Sequence, residues 1–163
     1  YTCGLRLSEA LNLTVHDIDK HRMCVHVHLG KGARDRIVPL PHSTYHMLRE
    51  YWPTHCNTKF IFPALGRGGT QGGTATRPMT TSTAQWGLRQ AVKAAGITKR
   101  VRIHTLRHCY ATHLLEAGVN VHAVQRYLGH AQLGTTMKYL HLTDLGMQDN
   151  TKIINDIMSG PTR

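Results

Sequence analysis

Acidic residues are scarce in this sequence. Nine Asp and Glu stand against 20 Lys and Arg in 163 residues, a formal net charge of +11. The sequence pI is near 10.0. Such a surplus favours a polyanionic partner, nucleic acid before any other, and it speaks to association rather than to fold. The few carboxylates form no cluster of the kind that holds a pair of catalytic metal ions. No Walker glycine loop is present to cradle nucleotide phosphates. No apolar run approaches the ~20 residues that span a bilayer, and no secretory signal is recognisable. The four cysteines, Cys3, Cys24, Cys56 and Cys109, show neither C-x-x-C nor zinc-ribbon spacing. They read as reduced thiols, and the expected compartment is the cytoplasm. Aromatics are only 6%, yet hydrophobic residues at 40% supply the core of one domain over 1–163. The chain begins at Tyr1 without a methionine, so the expectation is a piece of a longer polypeptide.

What is present concentrates in residues 103–139, IHTLRHCYATHLLEAGVNVHAVQRYLGHAQLGTTMKYL. Polar groups recur here on an apolar helical frame: His104 with Arg107, then His130, then Tyr139. Gly118 and Gly129 suit the left-handed residue that follows a helix end. His104 and Arg107 lie three apart, one turn of a helix. An imidazole beside a guanidinium suits a phosphodiester. Arg binds two phosphate oxygens at once, and His moves a proton near neutral pH. Tyr139, a short helix further on, could be the nucleophile. Taken singly, each His reads as an ordinary helix residue and Tyr139 as a packing aromatic; only the combination suggests chemistry.

Upstream, residues 1–15 suit a short amphipathic helix capped by Ser8, with Glu9 in its first turn and Arg6 just before it. Residues 23–29 alternate, with Met23, Val25, Val27 and Leu29 on one face and Cys24, His26 and His28 on the other. Gly30-Lys31-Gly32 breaks this strand, and residues 36–40 supply a second, giving a β-hairpin with Lys31 at its tip. Flanking glycines let that tip approach another backbone closely. A helix is expected over 43–51 with Tyr45, Leu48 and Trp52 in the core. A flexible Gly/Thr-rich loop is expected over 64–78, from which Arg67 and Arg77 could bind phosphate. A helix over 80–95 would end at Gly96, with Trp86, Leu88 and Val92 inward. Lys99, Arg100 and Arg102 form a basic approach to the stretch described above. After Tyr139, Ile153, Ile154, Ile157 and Met158 make an apolar stripe that closes its own core or docks on a neighbouring subunit.

Five segments, in order and spacing, resemble the catalytic domain of tyrosine recombinases, the phage-integrase and Xer-like family. They are Gly4-Leu5-Arg6-Leu7-Ser8-Glu9; Gly30-Lys31-Gly32 before Arg36-Ile37-Val38-Pro39-Leu40; His104-Thr105-Leu106-Arg107-His108 with Ala111-Thr112-His113; Leu128-Gly129-His130; and Thr135-Thr136-Met137-Lys138-Tyr139. The resemblance implies a mainly α fold with a small antiparallel β-sheet (α+β), truncated at its N-terminus and lacking the separate domain that closes on DNA from the other side.

The resemblance also implies roles. Arg6 and Arg107 would clamp the scissile phosphate and stabilise its pentavalent transition state. Tyr139 would attack phosphorus to give a 3′-phosphotyrosine and a free 5′-hydroxyl. Lys31 would protonate that leaving oxygen, His104 would assist proton transfer at the tyrosine, and His130 would hydrogen-bond the phosphate. Glu9 would brace the site. Arg34, Arg36, Arg67, Arg77, Lys99, Arg100 and Arg102 are the expected DNA-binding cations. The partner would be double-stranded DNA, with a homo-tetramer on two duplexes. No cofactor and no metal are expected. A free tyrosine, with a pKa of ~10, is a weak nucleophile, so neighbouring cations and a base are needed.

Three other classes stay open on the sequence: a type IB topoisomerase-like enzyme, a DNA-binding module without catalysis, and a metal protein using His104, His108 and His113. The last lacks the glutamate of an H-E-x-x-H helix.

Overall fold

Alternating β-branched residues build the sheet. In a computed structural model that describes residues 1–28, 35–140 and 155, three antiparallel strands lie in the order β1 (Ile18–Asp19), β2 (Cys24–Val27) and β3 (Arg36–Pro39). Cys24 pairs with Asp19 on one side and Pro39 on the other, and Val27 with Arg36. Val25, Val27 and Val38 are almost fully buried. The expected hairpin is therefore formed. Its tip, with Lys31 and Arg34, lies outside the described residues.

Six helices accompany the sheet among the described residues: α1 (Leu7–Asn12), α2 (His42–Tyr51), α3 (Thr81–Ala94), α4 (Ile103–Glu116), α5 (Val121–Leu128) and α6 (Leu133–Leu140). The mainly α architecture with a small antiparallel sheet is as expected. The chain divides into two compact units, Tyr1–Tyr110 and Ala111–Arg163, with α4 running through the division.

In the first unit, Leu11, Leu13, Val25, Val27, Val38, Leu40, Phe60 and Ile61 form the core. The residue that caps α1 is Arg6 and not Ser8. The Arg6 N–H donates to Glu9 Oε2 at 2.7 Å, half of a capping box, so the acid at the third helical position anchors the helix start. Two tryptophans depart from expectation: Trp52 and Trp86 are 42% and 58% exposed. Trp52 instead donates from Nε1 to the Asn57 carbonyl at 3.0 Å. In α3, Leu88 and Val92 are half-buried, and Trp86 falls on another face of the helix.

The Gly/Thr-rich stretch, expected to be flexible, is pinned at its base. Ala64 N–H donates to the Arg77 carbonyl, and Pro63 bridges Pro78. Buried Asn57 donates from Nδ2 to the carbonyls of Gly72 and Ala75, and its Oδ1 accepts from Lys59 and Phe60 N–H. A Cβ on Gly72 would meet His55 Cβ at 2.7 Å, so glycine is needed for this close approach.

In the second unit, α5 and α6 pack on each other, with Val124, Leu128, Thr136 and Tyr139 buried. Both expected glycine stops occur, at Gly118 (φ +81°) and Gly129 (φ +63°). Asn120 caps α5, accepting from His122 N–H at 2.8 Å. The apolar stripe after Tyr139 falls outside the described residues.

Candidate active site

Two groups of the expected residues are assembled, one in each unit.

In the first unit, Arg107 is 6% exposed on α4, and its Nη1 donates to the Gly4 carbonyl at 2.6 Å. Gly4 is held at φ +57°, where a Cβ would overlap the Tyr110 ring. The backbone that leads to Arg6 is thereby fastened to the helix that carries Arg107. Arg6 itself keeps 39% of its side chain exposed and donates from Nη1 to Glu9 Oε1 at 2.7 Å. One turn before Arg107, His104 is exposed, while Arg107 is enclosed. The two thus share the helix but not their solvent contact.

Glu9 is the centre of a larger ion network. Arg36 donates from Nη1 to Oε1 at 3.0 Å and from Nη2 to Oε2 at 2.7 Å. Both of these side chains are 5% exposed. Burial pushes the Glu9 carboxyl up, but hydrogen bonds from Arg36 and Arg6 and the Arg36 charge outweigh it and hold it at about 2. Arg36 therefore corrects the sequence expectation. It is not a solvent-facing DNA contact, because a guanidinium inside a sheet edge needs a carboxylate partner and here has one.

The other expected DNA cations divide. Lys99, Arg100 and Arg102 are exposed and border one cleft of the first unit together with His104. Arg89 and Lys93, four apart on α3, border the same cleft and were missed in the sequence. Their i, i+4 spacing was the available signal. Arg77 is exposed at the base of the pinned loop. The backbone of Arg67 lies in a 3₁₀ turn in that loop. Lys31 and Arg34 belong to the undescribed hairpin tip.

In the second unit, the turn after α5 places His130. Its N–H donates to the Gln125 carbonyl, and its own carbonyl accepts from Gln125 Nε2 at 3.1 Å. The imidazole Nδ1 lies 2.9 Å from Thr136 Oγ1, on fully buried Thr136. The His130 ring is nearly parallel to that of Tyr139, at 11° with centroids 6.2 Å apart. Tyr139 is 7% exposed. Thr136, like Arg89 and Lys93, was missed by sequence reasoning. It stood inside a quoted segment, but only helical phase and the Gly129 turn bring its hydroxyl to the imidazole.

His104, His108 and His113 do not form a group of potential metal ligands. Among the described residues one such group of three occurs, Asp19, Cys24 and His26, on the hairpin of β1 and β2. There Asp19 Oδ1 accepts from the N–H of His21 and Arg22, both at 2.9 Å, and so closes the turn.

Residues 1–145 match the family described as "Phage integrase family". The chain belongs to that family. Among curated phage-integrase relatives, a tyrosine recombinase of Thermosipho africanus is 41% identical over 152 residues, covering 93% of this chain and 50% of that protein. Tyrosine recombinase XerD of Corynebacterium glutamicum is 37% identical over 150 residues, covering 88% of this chain and 46% of that protein. The chain spans about half the length of the curated relatives it matches. Among solved structures, that of XerA recombinase matches with TM-score 0.74 and 30% identity, over 99% of this chain and 56% of that one. The catalytic domain of bacteriophage HP1 integrase shares the fold, with TM-score 0.61 and 22% identity over 99% of this chain and 80% of that one.

Proposed function

We propose that this chain is the catalytic part of a site-specific DNA recombinase that breaks and rejoins strands through a 3′-phosphotyrosine intermediate. The observation that carries this reading is the bond from Arg107 to the Gly4 carbonyl, across 103 residues of sequence. It fastens the second arginine to the segment that presents the first. Two guanidiniums on one phosphodiester suit the extra negative charge of a pentavalent transition state.

In this mechanism Arg6 and Arg107 hold the non-bridging oxygens. The Tyr139 phenolate oxygen forms the new bond to phosphorus, and the bond to the 5′-oxygen breaks. His104 assists removal of the phenolic proton, and Lys31 supplies a proton to the departing 5′-oxygen. His130, aimed by Thr136, hydrogen-bonds the phosphate. Rejoining is the reverse step with a 5′-hydroxyl of the same or a second strand. The phosphotyrosine bond retains the energy of the broken phosphodiester, so rejoining draws on no nucleotide hydrolysis. Basic residues bordering the cleft beside His104 carry the duplex backbone, an interaction that weakens steeply with salt. The working assembly is a homo-tetramer on two duplexes, and the compartment is the cytoplasm.

Covalent trapping tests this. A nicked suicide duplex bearing a site from the ends of the parent element is incubated with the protein and run on a denaturing gel. A shifted band in the wild type, lost in Tyr139→Phe, is expected. Equal bands in both proteins would remove the nucleophile, and no band on DNA shown to be bound would leave a binding module. Strand transfer between two labelled duplexes then separates recombination from supercoil relaxation.

A further inference from the structure

Arg36 lies on β3 with its side chain only 5% exposed, away from solvent. Its two bonds to Glu9 nevertheless share acceptors with Arg6. Oε1 of Glu9 accepts from Nη1 of both arginines, at 2.7 Å from Arg6 and 3.0 Å from Arg36. Oε2 accepts from the Arg6 backbone N–H and from Arg36 Nη2, each at 2.7 Å. The two arginines therefore meet the carboxylate from two sides.

We propose that Arg36 is a positioning residue for strand cleavage, acting through Glu9 to fix and charge-balance Arg6. The inference rests on the reading that Arg6 grips the scissile phosphate.

Two physical reasons support it. The first is orientation. A long, 39% exposed arginine at the start of a six-residue helix has many rotamers to lose. A single carboxylate on that short helix would turn with it. The planar fork of Arg36 holds the carboxylate plane in a bidentate contact. Arg36 is in turn held in the register of β3, opposite Val27. The sheet thus sets the direction of the Arg6 guanidinium.

The second reason is charge. Glu9 alone would cancel the charge of Arg6 and weaken its pull on a phosphate. With Arg36 included, two guanidiniums face one carboxylate, and the cluster keeps a net positive charge. A lysine could supply that charge but not the two-point contact.

The test uses Arg36→Met, Arg36→Lys, Glu9→Gln and Glu9→Gln/Arg36→Met in the full chain. Two quantities are read: the single-turnover rate of adduct formation on the suicide duplex at saturating protein, and the dissociation constant for the same duplex. Arg36→Met should slow adduct formation by about tenfold to a hundredfold, the loss of a charge-assisted contact, with duplex affinity changed by less than about threefold, since the buried Arg36 side chain faces Glu9 and not solvent. Arg36→Lys should recover the rate in part. In the Glu9→Gln background, Arg36→Met should add little, because both act along one chain of contacts. A wild-type rate in folded, DNA-bound Arg36→Met overturns the proposal.

If Arg36→Met does not fold, Glu9→Leu/Arg36→Met replaces the buried pair with apolar side chains, a change that buried ion pairs often tolerate. Slow cleavage by that folded protein supports the proposal, and a wild-type rate overturns it. The Nε–Hε order parameter of Arg6 by nitrogen-15 relaxation gives a readout independent of chemistry. It should fall in Arg36→Met, and an unchanged value overturns the positioning role. A wild type that forms no adduct would instead sink the recombinase reading, while the Arg6 order parameter would still decide whether Arg36 positions Arg6.

Discussion

Arg107 and Gly4 are joined by a 2.6 Å hydrogen bond from a guanidinium to a main-chain carbonyl. The carbonyl can point there only because Gly4 adopts φ +57° under the Tyr110 ring. This pairing fixes a buried arginine and the approach to an exposed one in a single contact.

Replacing Gly4 with alanine should therefore cost more than a turn glycine usually does. The new Cβ would overlap the Tyr110 ring, and overpacking of this kind costs about 1–3 kcal/mol before the left-handed backbone penalty is added. The urea midpoint should fall with little change in slope. Cleavage should fall further than stability alone explains, because the Arg107 anchor moves. An unchanged midpoint would show that the ring yields and that the glycine is not needed.

Thr136→Val keeps the shape of a fully buried side chain but removes the partner of His130 Nδ1. Loss of one neutral hydrogen bond of ~1 kcal/mol should slow cleavage by roughly fivefold to tenfold. The valine also leaves the imidazole nitrogen to reorient. Thr136→Ser, which keeps the hydroxyl, should stay close to wild type. Equal rates for all three proteins would mean that the Thr136 hydroxyl does not place His130.

Glu9 contributes stability with a definite pH sign. Its folded pKa of about 2 lies below the ~4.3 of an unfolded glutamate. The contribution is full above that unfolded value and drains away as pH falls through the folded one. Acid unfolding of the wild type should thus carry a component between about pH 4 and 2 that is missing in Glu9→Gln. Superimposable acid limbs for the two proteins would contradict the network geometry.

His28 gives the opposite sign at the base of the hairpin. The hydrogen bond that His28 Nδ1 donates to Asp35 Oδ2, at 2.7 Å, raises its pKa, opposed by slight burial and aided by the charges of Asp35 and Asp17. A raised folded pKa contributes stability below the unfolded value of ~6.5 and loses it as pH rises through the folded one. The pair is exposed, so the energy is small and falls with salt. Proton NMR titration should show the His28 pKa dropping in Asp35→Asn. No drop would mean that the contact is not held in solution.

Much of the fold was legible because it depends on local patterns. The alternation of Val25 and Val27 predicted β2, and the glycines at 118 and 129 predicted two helix ends, where only a residue without Cβ is comfortable. The residues expected to meet phosphate stood out as spaced motifs. The tryptophans were misplaced because bulk and hydrophobicity predict burial only when a neighbouring element covers the helix face, and that is a tertiary fact. The Gly/Thr-rich loop was read as mobile because composition reports backbone freedom, whereas the Asn57 clamp comes from residues 15 and 18 positions away.

The sequence by itself determined the chemistry on offer: a surplus of cations, two arginines, three candidate proton-handling groups and a tyrosine, in a fixed order. Only the tertiary structure decided which cation faces outward. Arg6 and Arg36 look alike in the sequence, yet one is 39% exposed and the other is buried at 5%. The difference arises because β3 carries Arg36 into the interior opposite a glutamate from α1. A charge can stay there only with its partner, and the position of that partner is set by packing across 27 residues and not by any local pattern.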